Sequence, residues 1–178
     1  MSDSHILRGL APVLPNPLRV LVLGSMPGVK SLTDQQYYAH PRNAFWPIME
    51  DLSGVLASAD YAQRCAGLQA LGIGLWDVVG RCRRRGSLDS NIDNKSIIIN
   101  SIDELIKVNN SLKLICLNGA KADELFRNKV LPSLEQDLVP ELVKMPSTSP
   151  ANASWSQDRK RQVWLETITP HLPAHLLV

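Results

Sequence analysis

The sequence predicts an α/β fold, a three-layer αβα sandwich built around a central parallel sheet of about four strands. Four short, continuous apolar runs are spaced along the chain and alternate with segments of helical character. Continuous apolar runs are typical of parallel strands that helices cover on both faces. The chain has 178 residues and shows no internal repeat, low-complexity tract or linker, so we expect a single domain over residues 1–178.

The apolar runs and the capping patterns set the expected order of elements. The predicted strands cover residues 18–23, 73–79, 112–117 and 142–145. The predicted helices cover 45–52, 58–71, 101–108, 120–130 and a last segment that ends near residue 169. Ser101 with Glu104, and Ser154 with Gln157, match the capping box that opens a helix. The polar segments 24–43 and 81–94 are predicted to be loops, and a loop as long as the first is usually functional.

Composition indicates an ordinary globular protein. Hydrophobic residues make up 44% of the chain and charged residues 20%. The formal net charge of +2 is too small to identify a nucleic-acid partner, so any DNA-binding field has to come from local clustering of charge. Residues 1–10 lack a signal-peptide pattern, and no apolar run reaches the roughly 18 to 20 residues of a membrane span. We therefore expect a cytoplasmic protein without a membrane partner.

The cysteines argue against a metal site. Cys65, Cys82 and Cys116 are widely spaced, form no C-x-x-C pair and are one too few for a four-thiolate cluster. Their odd number also fits a reducing compartment better than a disulfide framework. We expect neither a metal nor another cofactor.

The first candidate site segment follows the first predicted strand. Gly24, Ser25, Met26, Pro27 and Gly28 form a turn in which two glycines and a proline expose backbone N–H groups. Such a turn lets a flat ligand approach the main chain closely. An ordinary strand-to-helix turn fits the same residues equally well.

The second segment, residues 37–46, concentrates aromatic and polar side chains beside that turn. Tyr38 offers an aromatic face for stacking, and Asn43 carries an amide that both donates and accepts hydrogen bonds, as the positioning of a water requires. Asn43 is also a good helix cap, and the two roles are compatible. Phe45 and Trp46 are expected to anchor the following helix to the core.

The third segment follows the fourth predicted strand and is stiffened by two prolines. Its small hydroxyl groups and backbone N–H groups suit DNA phosphates, although a capped loop before the last helix explains them as well. The residues of interest are Ser147, Thr148, Ser149, Pro150, Ala151 and Asn152.

Together these segments resemble the uracil-DNA glycosylase superfamily, most closely its hypoxanthine-DNA glycosylase (DNA-deoxyinosine glycosylase) family. The resemblance spans nearly the whole chain and is specific as a set, although each block is short. It rests on GSMPG at 24–28, YYAHPRNAFWPI at 37–48, LWDVV at 75–79, GSLDS at 86–90, NGAKA at 118–122 and PSTSPAN at 146–152.

The chain departs from the superfamily at two positions in the first turn. The mismatch-specific members carry a catalytic Asn, and the uracil enzymes an Asp, where this chain has Met26. A thioether cannot orient or deprotonate a water, so Asn43 becomes the catalytic candidate. The uracil enzymes close the turn with a bulky Tyr that excludes larger bases, whereas Gly28 leaves room for a purine.

The resemblance implies a monofunctional, monomeric DNA glycosylase that flips a deaminated base, most readily hypoxanthine, and leaves an abasic site for base excision repair. The backbone of Ser25–Gly28 would bind the base oxygen or the water, Tyr38 would stack on the base, and Asn118 would contact its edge or a phosphate. Ser147, Thr148 and Ser149 would hold phosphates, Ala151 and Asn152 would enter the space that the base vacates, and Pro150 belongs to the same DNA-binding loop.

Other polar residues have ordinary alternatives. Asp77 and Asp89 are expected to be structural hydrogen-bond acceptors, and His40 either donates to the base or packs. Lys30 and Lys121 are expected to be surface or phosphate lysines, because no lysine occupies an evident nucleophile position. The basic run of Arg81, Arg83, Arg84 and Arg85 is either a solvated face or a DNA-backbone contact.

Three alternatives remain open from sequence. The chain could be a uracil- or xanthine-specific glycosylase of the same fold. It could also be a non-catalytic module that binds damaged DNA, because Met26 stands where other members carry a catalytic residue. It could also be a nucleoside hydrolase, against which the loop 146–152 argues, because a free nucleoside has no phosphates to hold.

Overall fold

The structure is a computed structural model that describes residues 5–176; the ends of the predicted domain, residues 1–4 and 177–178, lie outside this range. The strands are β1 (Ile6–Arg8), β2 (Val20–Gly24), β3 (Ile73–Asp77), β4 (Val79–Arg83), β5 (Ile98–Ile99), β6 (Leu114–Asn118) and β7 (Glu141–Met145). The α-helices are α1 (Val29–Asp34), α2 (Phe45–Ser53), α3 (Tyr61–Ala70), α4 (Ile102–Val108), α5 (Ala120–Leu125) and α6 (Gln157–Ile168).

The central sheet contains four strands in the order β3-β2-β6-β7, all parallel. Each of the four predicted apolar runs supplies one of them, displaced by no more than two residues at either end. The strands β2 and β6 occupy the middle and are buried along their whole length. The predicted parallel sheet is therefore confirmed.

Alternate residues of β2 enter two different cores, because successive side chains of a strand point to opposite faces. Val20 and Val22 pack in a core with residues of α2, α3 and α6. Leu21 and Leu23 pack in a second core with residues of α4 and α5. Helices thus cover both faces of the sheet, which confirms the predicted three-layer sandwich.

A second sheet was not expected from the sequence. Its three antiparallel strands have the order β1-β4-β5. The predicted strand 73–79 is wrong at its end, because β3 ends at Asp77 and Val79 begins β4, which pairs with β1 and β5. The N–H groups of Val78 and Val79 donate to the carbonyls of Gly24 and Ser25 at 2.9 Å each, so this junction stays bound to the turn after β2. Residues 79–83 thus form a separate strand where a loop was predicted from residue 81.

Three helix predictions need correction. The segment 24–43 contains the short helix α1 and is not a continuous loop. The helix α6 is capped by Ser156, whose side chain accepts from the N–H of Arg159, while the predicted cap Ser154 donates to Asn152 instead. Ser101 precedes α4 as predicted but makes no side-chain capping bond.

No helix within the described residues is both long enough and apolar enough to cross a membrane.

Candidate active site

The carboxyl ends of the parallel strands bring four segments to one edge of the central sheet. Gly24 at the end of β2 lies beside Asp77 at the end of β3, and Asn118 at the end of β6 lies beside Met145 at the end of β7. Ligands of open parallel sheets bind outside this edge. The turn after β2 and the loop after β7 both begin here, so this edge is the candidate site.

The turn after β2 is held from outside by two contacts with the loop after β4. The Ser25 hydroxyl donates to Asp89 Oδ1 at 2.6 Å. The guanidinium of Arg84 donates to the carbonyls of Met26, at 3.3 Å, and Pro27, at 2.6 Å. With its carbonyl groups bound in this way, the turn is a rigid platform.

Arg84 is therefore a structural residue within the predicted basic run. Its side chain is buried, and its Nε also donates to the carbonyl of Gly86 at 2.8 Å. The guanidinium is committed to three carbonyl groups and cannot also reach a DNA phosphate. Arg83 is exposed, whereas Arg81 lies half-buried within β4. Alternation along β4 places Arg81 and Arg83 opposite the buried Cys82, and Arg85 is exposed as well, so Arg84 is the member of the run that turns inward.

The turn offers its backbone, not the Met26 side chain, to a ligand. Met26 is buried and packs in the core beneath α4 and α5. The missing side chain of Gly28 borders Ser87, whose Oγ lies 3.4 Å from the position a Cβ would take. The space that the sequence predicts at Gly28 is therefore bounded by Ser87.

Asn43 lies two residues before helix α2, whose N-cap is Ala44, and its side chain is fixed. Its Oδ1 accepts from the N–H of Phe45 at 2.9 Å, and its own N–H donates to the carbonyl of His40 at 2.9 Å. The next N–H, of Ala44, donates to the carbonyl of Thr148 at 2.9 Å, which ties α2 to the loop after β7. Asn43 is half-buried, and its Nδ2 bonds to no residue in the range 5–176. The amide is oriented and has donor capacity left.

Tyr38 is held under strain. Its backbone is left-handed, with φ of 56°, which is unfavourable for a bulky residue. Its ring stacks on Phe45 with centroids 4.1 Å apart and planes inclined by 30°. Its hydroxyl is buried and finds no hydrogen-bond partner among the described residues. By contrast, the neighbouring Tyr37 donates to the carbonyl of Ala11 at 2.9 Å and has a structural role.

Asp77 is the residue that sequence reasoning undervalued. It is buried, and its Oδ2 has no hydrogen-bond partner within the described chain, so the expected role of structural acceptor is wrong for this oxygen. Its carboxyl group packs directly over Gly24, where a Cβ would overlap it. The signal in the sequence was an ionisable residue at the end of an otherwise apolar buried strand.

Burial raises the pKa of Asp77 to about 7, and the nearby carboxylate of Asp89 acts in the same direction. Arg84 opposes this shift but makes no ion pair with Asp77 among the described residues. Burial also raises the pKa of Tyr38, with Asp77 as the second cause, while the adjacent Asn118 amide lowers it without reaching hydrogen-bond geometry. Tyr38, Asp77 and Asn118 are thus close neighbours.

Asn118 and Thr148 bind each other. Asn118 Nδ2 donates to Thr148 Oγ1 at 3.0 Å, and the N–H of Thr148 donates back to Asn118 Oδ1 at 3.0 Å. Thr148 is almost fully buried, so its hydroxyl faces the protein and not a phosphate. The pair clamps the loop after β7 to the end of β6. Part of the Asn118 amide remains for a ligand, since it has two donors and two acceptor sites.

The rest of the loop 146–152 is stiffened by its own hydrogen bonds. The Oγ atoms of Ser147 and Ser149 accept from the N–H groups of Ser149 and Ala151, at 3.2 Å each. Asn152 Nδ2 donates to the carbonyl of Ser147 at 3.1 Å. Both hydroxyl groups keep their own hydrogen for an outside acceptor, and Pro150 and Ala151 form the tip.

A cleft of about 520 Å³ opens beside this edge. It lies between Asp89, the β6–α5 turn at Gly119 and Ser147 of the following loop. Lys121 lines it and is fixed by a 2.8 Å hydrogen bond to Asn94. Gly119 has φ of 97°, and a Cβ there would lie 3.1 Å from the Ser147 Cβ, so glycine permits this close approach.

The sequence model of the Uracil DNA glycosylase superfamily matches residues 11–171. The chain belongs to this superfamily. It is 35% identical over 158 residues to a hypoxanthine DNA glycosylase of Methanosarcina acetivorans, an alignment that covers 88% of this chain and 95% of that protein. It is 37% identical over 118 residues to a hypoxanthine DNA glycosylase of Methanosarcina barkeri, covering 66% and 73% of the two chains.

A solved structure of the superfamily has the same architecture. The solution NMR structure of a candidate uracil DNA glycosylase from Methanosarcina acetivorans superposes with a TM-score of 0.73 at 34% sequence identity, covering 89% of this chain and 94% of that one. The superfamily resemblance stated from the sequence blocks is confirmed. The roles of the individual site residues stay predictions.

Proposed function

We propose that this member of the uracil DNA glycosylase superfamily is a monomeric, monofunctional DNA glycosylase that removes deaminated bases, chiefly hypoxanthine, by hydrolysing their N-glycosidic bond. Two relatives at 35% and 37% identity are named hypoxanthine DNA glycosylases, which supports this base. The reaction leaves an abasic site and needs an extrahelical base, because the bond is inaccessible inside a duplex.

The fixed amide of Asn43 carries the proposal. Departure of the base builds positive charge on the deoxyribose and negative charge on the base, and a water then attacks the anomeric carbon. The Phe45 N–H at 2.9 Å locks the rotamer of Asn43. Its Oδ1 has a second lone pair that can accept from the water, and its Nδ2 can donate. A water-positioning group has to be held in this way before the substrate arrives.

Met26 supports the same assignment by exclusion. Superfamily members with a polar residue in the first turn can use it to hold the water, but the Met26 side chain packs into the core. The backbone N–H groups of Ser25, Met26 and Gly28 remain to bind the base oxygen, whereas Pro27 has no N–H to donate. The catalytic polar side chain therefore has to come from outside the turn.

Stacking and phosphate contacts complete the proposed complex. Phe45 covers one face of the half-buried Tyr38 ring, so the base would stack on the other face. Ser147 and Ser149 would donate their hydroxyl hydrogens to phosphates, and Ala151 at the tip would approach the gap left by the base. Asn118 would contact the base edge with the part of its amide that Thr148 leaves.

Hydrolysis without strand cleavage is proposed because the lysines have other roles. Lys30 pairs with Asp34 at 2.8 Å, and Lys121 is bound to Asn94. Lys160 is buried in α6, and its ammonium donates to the carbonyl of Ser149 at 3.3 Å, behind the loop. Borohydride trapping of a covalent protein–DNA adduct would contradict this part of the proposal.

The decisive experiment measures base release from duplex oligonucleotides that carry one deoxyinosine, deoxyuridine or deoxyxanthosine. The wild-type protein is compared with Asn43→Ala and with Asn128→Ala, a matched control at an exposed position. We expect hypoxanthine release by the wild type and the control, and a loss of about 10²- to 10³-fold in Asn43→Ala. Release that survives Asn43→Ala moves the catalytic role elsewhere, and no release from any duplex would contradict the glycosylase and favour the binding module.

A further inference from the structure

Two side chains that border Gly24 in the candidate site each carry a buried polar atom without a partner in the described chain. These atoms are the Tyr38 hydroxyl and Asp77 Oδ2, the buried side-chain atoms in the range 5–176 that lack any hydrogen bond. A Cβ on Gly24 would overlap the Asp77 carboxyl group and lie 3.4 Å from the Tyr38 hydroxyl. Buried polar groups almost always have a partner, so two orphans side by side indicate a site that a ligand completes.

The position of this pair fits an incoming base. Asp77 ends β3 at the carboxyl edge of the central sheet, next to the turn after β2. Tyr38 presents the ring on which the base is proposed to stack, and Asn118 lies beside its hydroxyl. A base on the free face of Tyr38 would bring its edge to the carboxyl group of Asp77.

The charges around Asp77 favour its neutral form. Asp89, from the loop after β4, adds a like charge, and the hydroxyl groups of Tyr37 and Tyr38 face Asp77 from the loop before α2. Arg84 is the cation that acts on Asp77 among residues 5–176, but it is bound to carbonyl groups of the turn and makes no ion pair with Asp77 there. An unpaired carboxylate at this depth is unfavourable, whereas a carboxylic acid is tolerated.

Building on the proposed function, we propose that Asp77 recognises the flipped base as a neutral carboxylic acid. Its O–H donates to the base carbonyl oxygen, and its other oxygen accepts from the adjacent ring N–H. Hypoxanthine and uracil gain this adjacent pair when adenine and cytosine are deaminated, and xanthine retains the pair that guanine already has. The proton stays on Asp77, and its hydrogen bond strengthens as negative charge develops on the departing base.

The protonation state then sets the pH dependence. An ionised Asp77 would place a negative charge against the base oxygen and oppose the charge that builds there. Activity is therefore retained below the pKa of Asp77, about 7, and is lost as the pH rises through it.

Single-turnover release of hypoxanthine from a deoxyinosine duplex, measured from about pH 5.5 to about pH 9, tests this. We expect the wild type to lose about tenfold in rate per pH unit above about 7. Asp77→Asn keeps a donor and an acceptor without a titrating proton, so its rate should be flat over this range. Asp77→Leu, of similar size, should be slow at every pH, and Asp103→Asn, a partly exposed carboxylate on α4, should keep the wild-type profile.

Several outcomes overturn the inference. One is a folded Asp77→Asn protein, judged by circular dichroism, that is inactive at low pH, since the carboxylate would then be required. Another is a wild-type alkaline limb that persists in Asp77→Asn. Carboxyl ¹³C NMR measures the pKa of Asp77 independently, on the protein without DNA. If Asp77 titrates near the ordinary carboxyl pKa of 3.8, it is ionised at neutral pH, and the proposal is wrong even if the protein is an active glycosylase. If the wild-type protein releases no base at any pH, the proposed glycosylase function itself is wrong.

Discussion

The buried carboxyl group of Asp77 makes a quantitative prediction about folding that requires no substrate. Burial raises its pKa from 3.8 to about 7. The folded chain therefore holds this proton more tightly than the unfolded chain, and stability declines as the pH rises between these two values. Each pKa unit corresponds to about 1.4 kcal/mol, so ionisation of Asp77 destabilises the fold by up to about 4 kcal/mol above pH 7.

Asp77→Asn removes this pH-dependent destabilisation while keeping the shape of the side chain. The free energy of unfolding of the variant, relative to the wild type, should rise by about 3 kcal/mol between about pH 5 and about pH 8.5. The sign follows because only the wild type has to bury a charge at the higher pH. The advantage should be smallest below pH 4, where Asp77 is protonated in both folded and unfolded wild-type chains.

Urea denaturation followed by the fluorescence of the four tryptophans measures this difference at each pH. Asp103→Asn is the control, because Asp103 is partly exposed and pairs with Lys107 at 3.5 Å. If the Asp77→Asn and wild-type proteins differ by the same amount at both pH values, Asp77 has an ordinary pKa and the reasoning from burial is wrong.

Two further predictions concern side chains whose roles the structure separates. Tyr38→Phe removes a buried hydroxyl that has no partner in the described chain, so it should raise the free energy of unfolding of the protein without DNA by about 1 kcal/mol. It should also slow base release by up to about tenfold, because the ring still stacks but the bound base loses a hydrogen bond. A destabilised variant in urea denaturation, or a rate of base release equal to that of the wild type, would contradict this. Arg84→Met leaves the carbonyls of Met26 and Pro27 unpaired, so it should lower the free energy of unfolding by about 3 kcal/mol. Arg83→Ala, at an exposed position, should leave stability unchanged. It should lower the slope of the logarithm of the DNA-binding constant against the logarithm of the salt concentration by about 1. An unchanged slope in Arg83→Ala would exclude a phosphate contact at that residue.

The candidate site retains local instability that a purely structural edge would lack. Tyr38 combines a left-handed backbone with an orphaned hydroxyl, and Asp77 carries an orphaned carboxyl oxygen. Both features are unfavourable in the protein without DNA, and a bound base that supplies hydrogen bonds would relieve them. Strain concentrated at one strand edge is expected where function, and not folding, selects the residues.

The sequence was sufficient for the central sheet because its strands carry their own signal. The runs of β2 and β6 are continuous enough to predict burial on both faces, whereas the short run of β7 includes Lys144 and forms a partly exposed edge strand. The second sheet left no such trace: β1 has three residues and β5 has two, and both are defined by their pairing with β4. The split after Asp77 was equally hidden, since the residues on either side of it are apolar and β4 is set apart from β3 by its pairing with β1 and β5.

The sequence by itself determined the fold class, the superfamily and the segments that meet at the site, because these follow from local patterns and strand order. Only the tertiary structure decided which way each polar side chain points. Arg84 and Thr148 turn inward although their neighbours suggested DNA contacts, and Met26 packs into the core. Asp77 acquires its raised pKa from distant residues that surround it and exclude water. Burial and charge proximity arise from contacts between segments remote in sequence, so no local pattern records them.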